Sequence, residues 1–237
     1  MPTTTLTPET EQHRASLREA FCAWLIEQDP AEVLDVGAGR GDLIRSLRNK
    51  DVMARGIESS EALVGLALEL GLPVDLGEVT RLEEEDNGVP WVSLRHALQN
   101  VPARERALME ALRVASVGVL IAEPYIWPLL PAHRLTSRLH NFTRELERRR
   151  GIYHGEDLAP GELVPMLPPG WDVELRAHAP LHRYSHEDVR AMVDSAAGSE
   201  DFSPGERDLA DALVESARLG MIAAPGTVMV MARRPGA

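Results

Sequence analysis

The sequence predicts an α/β protein built on a doubly wound, mostly parallel sheet. Short apolar runs of strand character alternate with segments of helical period from residue 33 to residue 122. The first run, Val33-Leu34-Asp35-Val36, passes directly into Gly37-Ala38-Gly39-Arg40-Gly41, three glycines at alternating positions that suit a tight strand-to-helix turn. The length, 237 residues with one cysteine, allows a sizeable core without disulfides, so one domain over residues 1–237 is expected.

Residues 1–29 form the N-terminal part. Met1 to Pro8 lacks a basic start followed by an apolar core, and the threonine-rich beginning is expected to be disordered. Leu17, Phe21, Trp24 and Leu25 then recur at helical spacing until Asp29-Pro30, which predicts an amphipathic helix over Glu9 to Gln28 with Cys22 buried on its apolar face.

Residues 30–124 form the core. After the first strand and the glycine turn, Asp42 to Arg48 reads as a short helix, and Val52 to Ile57 as a second strand ending at Glu58. Ser59-Ser60 supplies a cap for a helix over Glu61 to Leu70, closed by Gly71. Pro73 to Val79 holds the third strand and the loop after it. The acidic run Glu83 to Asp86 is read as a solvated loop rather than a metal site. Trp91 to Leu94 is the fourth strand, followed by Arg95-His96-Ala97-Leu98-Gln99-Asn100-Val101-Pro102. Pro102 opens a helix to Ala115, and Val117 to Ala122 is a fully apolar fifth strand ended by Glu123-Pro124.

Residues 125–160 break the alternation with Trp127, several prolines and an arginine-rich helix over Leu135 to Arg150. Its arginines suit either a lid that recognises a carboxylate or phosphate or a solvated face with a Glu145 to Arg149 pair. In residues 161–237, a short helix over Gly161 to Leu167 precedes a sixth strand, Trp171 to His178. Helices capped by Ser185 and Ser203 follow, and Thr227 to Ala232 is the last strand. The helical insertion over 180–224 is a second candidate lid. His178, His182 and His186 share a four-residue spacing, but a strand and Pro180 intervene, so they are not read as metal ligands.

A ligand crevice in such a sheet lies off the carboxyl ends of its strands, where Asp35, Glu58, Glu78 and Arg95 all fall. The glycine turn lets a ligand approach the backbone. A dinucleotide fingerprint would need glycine at position 42, where Asp42 would face a pyrophosphate, so a nicotinamide-dependent dehydrogenase is the weaker reading. Glu58, at the end of strand two, is placed to accept hydrogen bonds from ribose hydroxyls.

With Asp35 and the G-x-G-x-G spacing, the stretch resembles motif I of class I S-adenosyl-L-methionine (SAM) dependent methyltransferases, and Arg95-His96-x-Leu98 to Pro102 resembles the segment after strand four in their small-molecule members. The resemblance covers residues 30 to 125 and implies a Rossmann-like, seven-stranded sheet whose last strand runs antiparallel, with helical lid segments. It implies SAM as cofactor, with Asp35 at its amino end, and Gly37, Ala38, Gly39 and Gly41 under its methionine part. Glu58 and Ser59 would meet the ribose, Glu78 and Val79 the adenine, and Arg95 would line the site. In such enzymes the N-terminal helix leans over the cofactor, which makes His13, Arg14 and Arg18 further candidates.

Methyl transfer needs positioning and shielding, with a proton acceptor optional. His96 is the first candidate for that role, followed by His140 and Tyr125, with no metal. The formal charge of -12 disfavours nucleic acid as partner. The absence of an N/D-P-P-Y/F signature favours a small-molecule acceptor methylated on O or N, a secondary metabolite being one setting suggested by the resemblance. Protein or RNA methylation and a catalytically silent SAM-binding scaffold are the alternatives. No apolar run spans a bilayer, and a reducing, cytoplasmic location is expected. A homodimer through the lid helices is compatible with the sequence.

Overall fold

The computed structural model describes residues 5–127 and 129–236. Met1 to Thr4, whose disorder the sequence suggested, lie outside the described residues. Contacts divide the chain into a sheet unit (residues 18–124, 156–178 and 227–236) and a helical unit (residues 5–17, 125–155 and 179–226).

The sheet unit carries seven strands: β1 (Glu32–Val36), β2 (Met53–Glu58), β3 (Val74–Leu76), β4 (Val89–Arg95), β5 (Ala115–Tyr125), β6 (Asp172–His178) and β7 (Gly226–Arg233). Their order is β3-β2-β1-β4-β5-β7-β6, with β1 to β5 paired in parallel and β6 antiparallel to β7. The strand order reverses between β1 and β4, which share register at Asp35↔Ser93. A parallel sheet is stable only when both faces are covered. One face packs Leu34, Val92, Leu94, Val119 and Ile121 against Leu108 and Leu112 of α4 (Arg104–Val114), and against Leu158 and Leu163, the latter in α6 (Pro160–Leu163). The other face packs Val33, Leu120 and Met231 against Phe21, Trp24 and Leu25 of α1 (Pro8–Ile26), and against α2 (Asp42–Arg48) and α3 (Glu61–Glu69). Each buried large apolar side chain contributes about 1.5–3 kcal/mol. Cys22 lies fully buried there, and burial pushes its thiol up to about 11.

Two expected boundaries shift for local reasons. Val101, held extended ahead of Pro102, delays α4 to Arg104, and a short 3-10 turn at Leu98–Asn100 precedes it. β5 does not stop at Glu123-Pro124 but runs through Tyr125. β4 has already ended at Arg95, opposite Ala122, so no partner on that side requires the amide Pro124 lacks. Gly118, inside β5, lets Trp91 and the Ala232 carbonyl close in, since a Cβ there would sit 2.8 and 2.7 Å from them. The acidic run is not merely solvated: Glu84 binds Arg55 at 2.6 Å and Asp86 binds Arg113 at 2.8 Å. At the sheet edge, β6 is guarded by charge, with Arg176 bonded to Glu27 and Glu174 and lying over Trp24.

The helical unit is built from α5 (Pro131–Arg149), α7 (His186–Ala197), α8 (Pro204–Arg218) and the first part of α1. Pro131, with its φ already set for a first turn, starts α5 one turn before the expected Leu135. Leu139, Phe142 and Leu146 of α5 pack with Val189 and Val193 of α7 and Leu213 of α8. Ser185 and Ser203 cap α7 and α8 with full capping boxes. Asp188 is buried and gathers the amide and hydroxyl of Thr7, the hydroxyl of Thr10 and the Ser185 amide within 3.0 Å. His182 joins Thr10 at 2.7 Å and stacks on His13. No described helix is long and apolar enough to cross a membrane.

Candidate functional site

At the carboxyl end of β1, the glycine turn adopts the conformation its residues imply. Gly37, Gly39 and Gly41 all have positive φ, at 76°, 58° and 81°. A Cβ on Gly37 would lie 2.7 Å from that of Ala97, so the turn is pressed against the segment after β4. A Cβ on Gly39 would meet nothing within 4 Å, which leaves open space over the middle of the turn. Gly56, on β2, is a second close approach: a Cβ there would sit 2.5 Å from that of Ala38.

Glu58 holds this turn in place. Its Oε2 accepts the Gly39 amide at 2.9 Å and its Oε1 accepts the Ser60 amide at 2.9 Å, with the Ser59 hydroxyl at 3.5 Å. Ser60, expected to cap α3 with its side chain, makes no side-chain cap bond, and its amide is used by Glu58 instead.

Asp35 lies beneath the turn, only 3% exposed, and accepts the Ser93 hydroxyl at 2.8 Å. Burial pushes its carboxyl up to about 6, against the Ser93 hydrogen bond and the positive charge of Arg95, while Glu58 adds to the rise. Asp42, at the start of α2, goes the other way. Burial would raise it, but the hydrogen bond and charge of Arg40, with Arg18 and Arg45, hold it below the usual carboxylate range. An anionic side chain therefore stands where a dinucleotide pyrophosphate would need a helix start.

The remaining expected site residues divide between the units. Arg95 ends β4 and His96 follows it, both half-buried. His96 is a non-glycine residue at φ 54°, a costly conformation, with its amide on the Ala122 carbonyl at 2.8 Å and its carbonyl receiving the Asn100 side chain. Glu78 is exposed and Val79 buried, in the loop after β3. Tyr125 and His140 belong to the helical unit. There Tyr125 meets Trp127 edge to face at 5.0 Å. His13 is also in that unit, buried with its Nε2 donating to the Pro225 carbonyl. Much of the arginine charge of α5 is absorbed internally. Arg148 pairs with Glu145, Arg149 with Glu206 at 2.9 Å, and Arg150, at the end of the helix, donates to the Ser195 and Ala196 carbonyls.

Three residues escaped the sequence reading: Ser93, Gly56 and Glu123. Ser93 and Glu123 were visible as polar residues within largely apolar strands, and Gly56 as a glycine inside a strand.

The family model described as "Methionine biosynthesis protein MetW" matches residues 19–127. A ubiquinone/menaquinone biosynthesis C-methyltransferase (UbiE) of Laribacter hongkongensis is 33% identical over 119 residues, covering 45% of this chain and 49% of that protein. An ajmaline N-methyltransferase of Rauvolfia serpentina is 29% identical over 126 residues, covering 46% of this chain and 43% of that protein. A SAM-dependent methyltransferase from Archaeoglobus fulgidus superposes with a TM-score of 0.57 at 16% identity, over 92% of this chain and 94% of the other. The chain has the class I SAM-dependent methyltransferase fold. The chain spans about half the length of the curated relatives it matches, and the family model falls on the stretch from late α1 through β5. β7 runs antiparallel beside β6, as the resemblance implied for the last strand.

Proposed function

We propose that the chain binds SAM at the carboxyl ends of β1, β2 and β4 and methylates an O or N atom of a small molecule. The observation that carries this reading is the turn stitched by Glu58 to Gly39, with open space above it and the buried Asp35 below. These residues fit the group: a positive-φ glycine cradle admits a ligand against the backbone, and a carboxylate beneath it suits an ammonium.

Asp35 would hold the amino end, Gly37 to Gly41 the methionine part, and Glu58 with Ser59 the ribose, the Glu58 oxygens keeping acceptor capacity beyond their amide bonds. Glu78 and Val79 would meet the adenine, and Arg95 would line the site beside Asp35. When bound, SAM supplies a methyl group on a sulfonium, a leaving group already activated by its charge. The chain's own residues then orient the acceptor and exclude water, and His96 is the side chain proposed to take a proton. The strained backbone of His96 supports that place. The net charge of -12 supports a small-molecule acceptor over nucleic acid.

Isothermal titration with S-adenosylhomocysteine (SAH) and, separately, NADH tests the reading on the intact chain and on Asp35→Ala and Glu58→Ala. Micromolar SAH binding weakened by both substitutions is expected. NADH binding in its place overturns the assignment.

A further inference from the structure

Glu123 is the one carboxyl on β5, between the apolar Ala122 and Pro124, and its side chain is fully buried. Neither carboxyl oxygen completes a hydrogen bond of ordinary geometry among the described residues. A buried, unsatisfied carboxyl costs stability, and such a group calls for a partner. Its location says which partner. The register sets Asp35 level with Ser93, and Ser93 level with Leu120, so Glu123 lies three residues further toward the carboxyl rim, about 10 Å along the strand. It is the residue after Ala122, whose carbonyl takes the His96 amide. Odd-numbered β5 residues Val119 and Ile121 face the same core as Leu98, and Glu123 continues that alternation. Ala97, next to Leu98, is the residue against which Gly37 is pressed. Glu123 therefore lies toward the carboxyl rim of β5, on the side of the segment after β4 that also carries Ala97 and Leu98.

We propose that Glu123 is the acceptor-side carboxyl of this crevice, placed to bind and deprotonate the N–H or O–H of the methyl acceptor. The inference rests on the SAM-binding reading above. In the transfer, the acceptor lone pair forms the new bond to the methyl carbon, and the electron pair of the breaking C–S bond stays on sulfur. The acceptor proton passes to the Glu123 carboxylate, which takes over the proton-accepting role that the proposal above gave to His96. Burial pushes the Glu123 carboxyl up to about 8, with the Leu98 amide opposing, Asp157 adding and Arg104 opposing. A carboxyl poised in that range serves as a proton acceptor near neutral pH far better than an exposed glutamate.

The test needs no knowledge of the acceptor. Sinefungin is a SAM analogue that carries a primary ammonium where SAM carries its S-methyl, and SAH lacks any group there. Titration of the intact chain with both ligands isolates that position. The expected result is that sinefungin binds about tenfold or more tighter than SAH, and that Glu123→Gln abolishes the difference while leaving SAH affinity unchanged. In the unsubstituted protein the sinefungin-to-SAH ratio should also rise between about pH 6.5 and about pH 8.5 as the carboxyl ionises. This keeps the proposal testable should the variant fail to fold. An unchanged ratio in Glu123→Gln, or a flat ratio across that pH range, overturns the role of Glu123 while leaving the cofactor reading intact. Failure of the folded protein to bind SAH at all overturns both.

Discussion

Glu58 Oε2 accepts the amide of Gly39 at 2.9 Å across the mouth of β1 and β2, so the acid at the end of one strand fixes the turn at the end of its neighbour. The same carboxylate holds the Ser60 amide at the start of α3. A hydrogen bond to a charged group contributes about 1.5–3 kcal/mol. Glu58→Ala removes both bonds and should lower the melting temperature and weaken SAH binding by about tenfold to a hundredfold. Glu58→Gln, able to keep one amide bond, should fall between. Thermal melts beside titration calorimetry check both effects.

Asp35 should trade stability against binding. Its native pKa of about 6 stands above the ordinary 3.8, so its contribution to stability is greatest below that ordinary value. That contribution is lost as pH rises through about 6, where ionising the buried group costs up to about 3 kcal/mol. Asp35→Asn keeps an acceptor for the Ser93 hydroxyl. It should therefore melt higher than the parent at about pH 8 and match it near about pH 4, while binding SAH more weakly. Urea titrations at the two pH values give the sign directly.

Two alanine substitutions in the glycine turn should part company. Gly37→Ala forces a Cβ to 2.7 Å from Ala97 in addition to a left-handed backbone. Gly39→Ala meets only the backbone penalty of about 1–2 kcal/mol. The first should unfold the chain well below the parent temperature. The second should stay folded and lose SAH affinity, because its methyl enters the open space above the turn. Differential scanning fluorimetry with and without SAH separates them.

In the helical unit, Asp188 is the buried acceptor for donors on Thr7, Thr10 and Ser185. Burial would raise its carboxyl, but the Thr7 amide and the Thr10 and Ser185 donors outweigh it and hold it below 3.8. Its stabilisation is therefore present above about pH 4 and lost as pH falls through its native pKa. Asp188→Ala should cost about 3 kcal/mol or more. Hydrogen exchange should then accelerate at the Thr7 amide and at the start of α7.

The parts of this molecule governed by local rules could be read from the chain. Apolar period located every strand of the sheet, and alternating glycines located the turn with its three positive φ values. The capping boxes at Ser185 and Ser203 are likewise local. What escaped depends on contacts between distant segments. Nothing near Ser93 in sequence announces that its hydroxyl serves Asp35, 58 residues away. Pro124 reads as a strand stop until β4 is known to end at Arg95. The arginines after Leu135 read as a charged face because Glu200, Glu206 and the carbonyls at the end of α7 arrive from far along the chain. Glu123 read as punctuation because the groups that act on it, Leu98, Arg104 and Asp157, come from other segments of the chain.

The position of β7 between β5 and β6 orders events at the ribosome. β6 is synthesised some fifty residues before β7, yet β7 is its sheet neighbour, so β6 must wait, unpaired, until β7 has emerged. The bond from Thr7 to Asp188 likewise joins almost the first described residues to a helix made late. A nascent chain halted before residue 226 would hold β1 to β5 but leave the outer edge of β5 bare. β7 therefore acts as the closing seam of the sheet, and a chain that stops short of it should aggregate during synthesis rather than settle as a smaller folded protein.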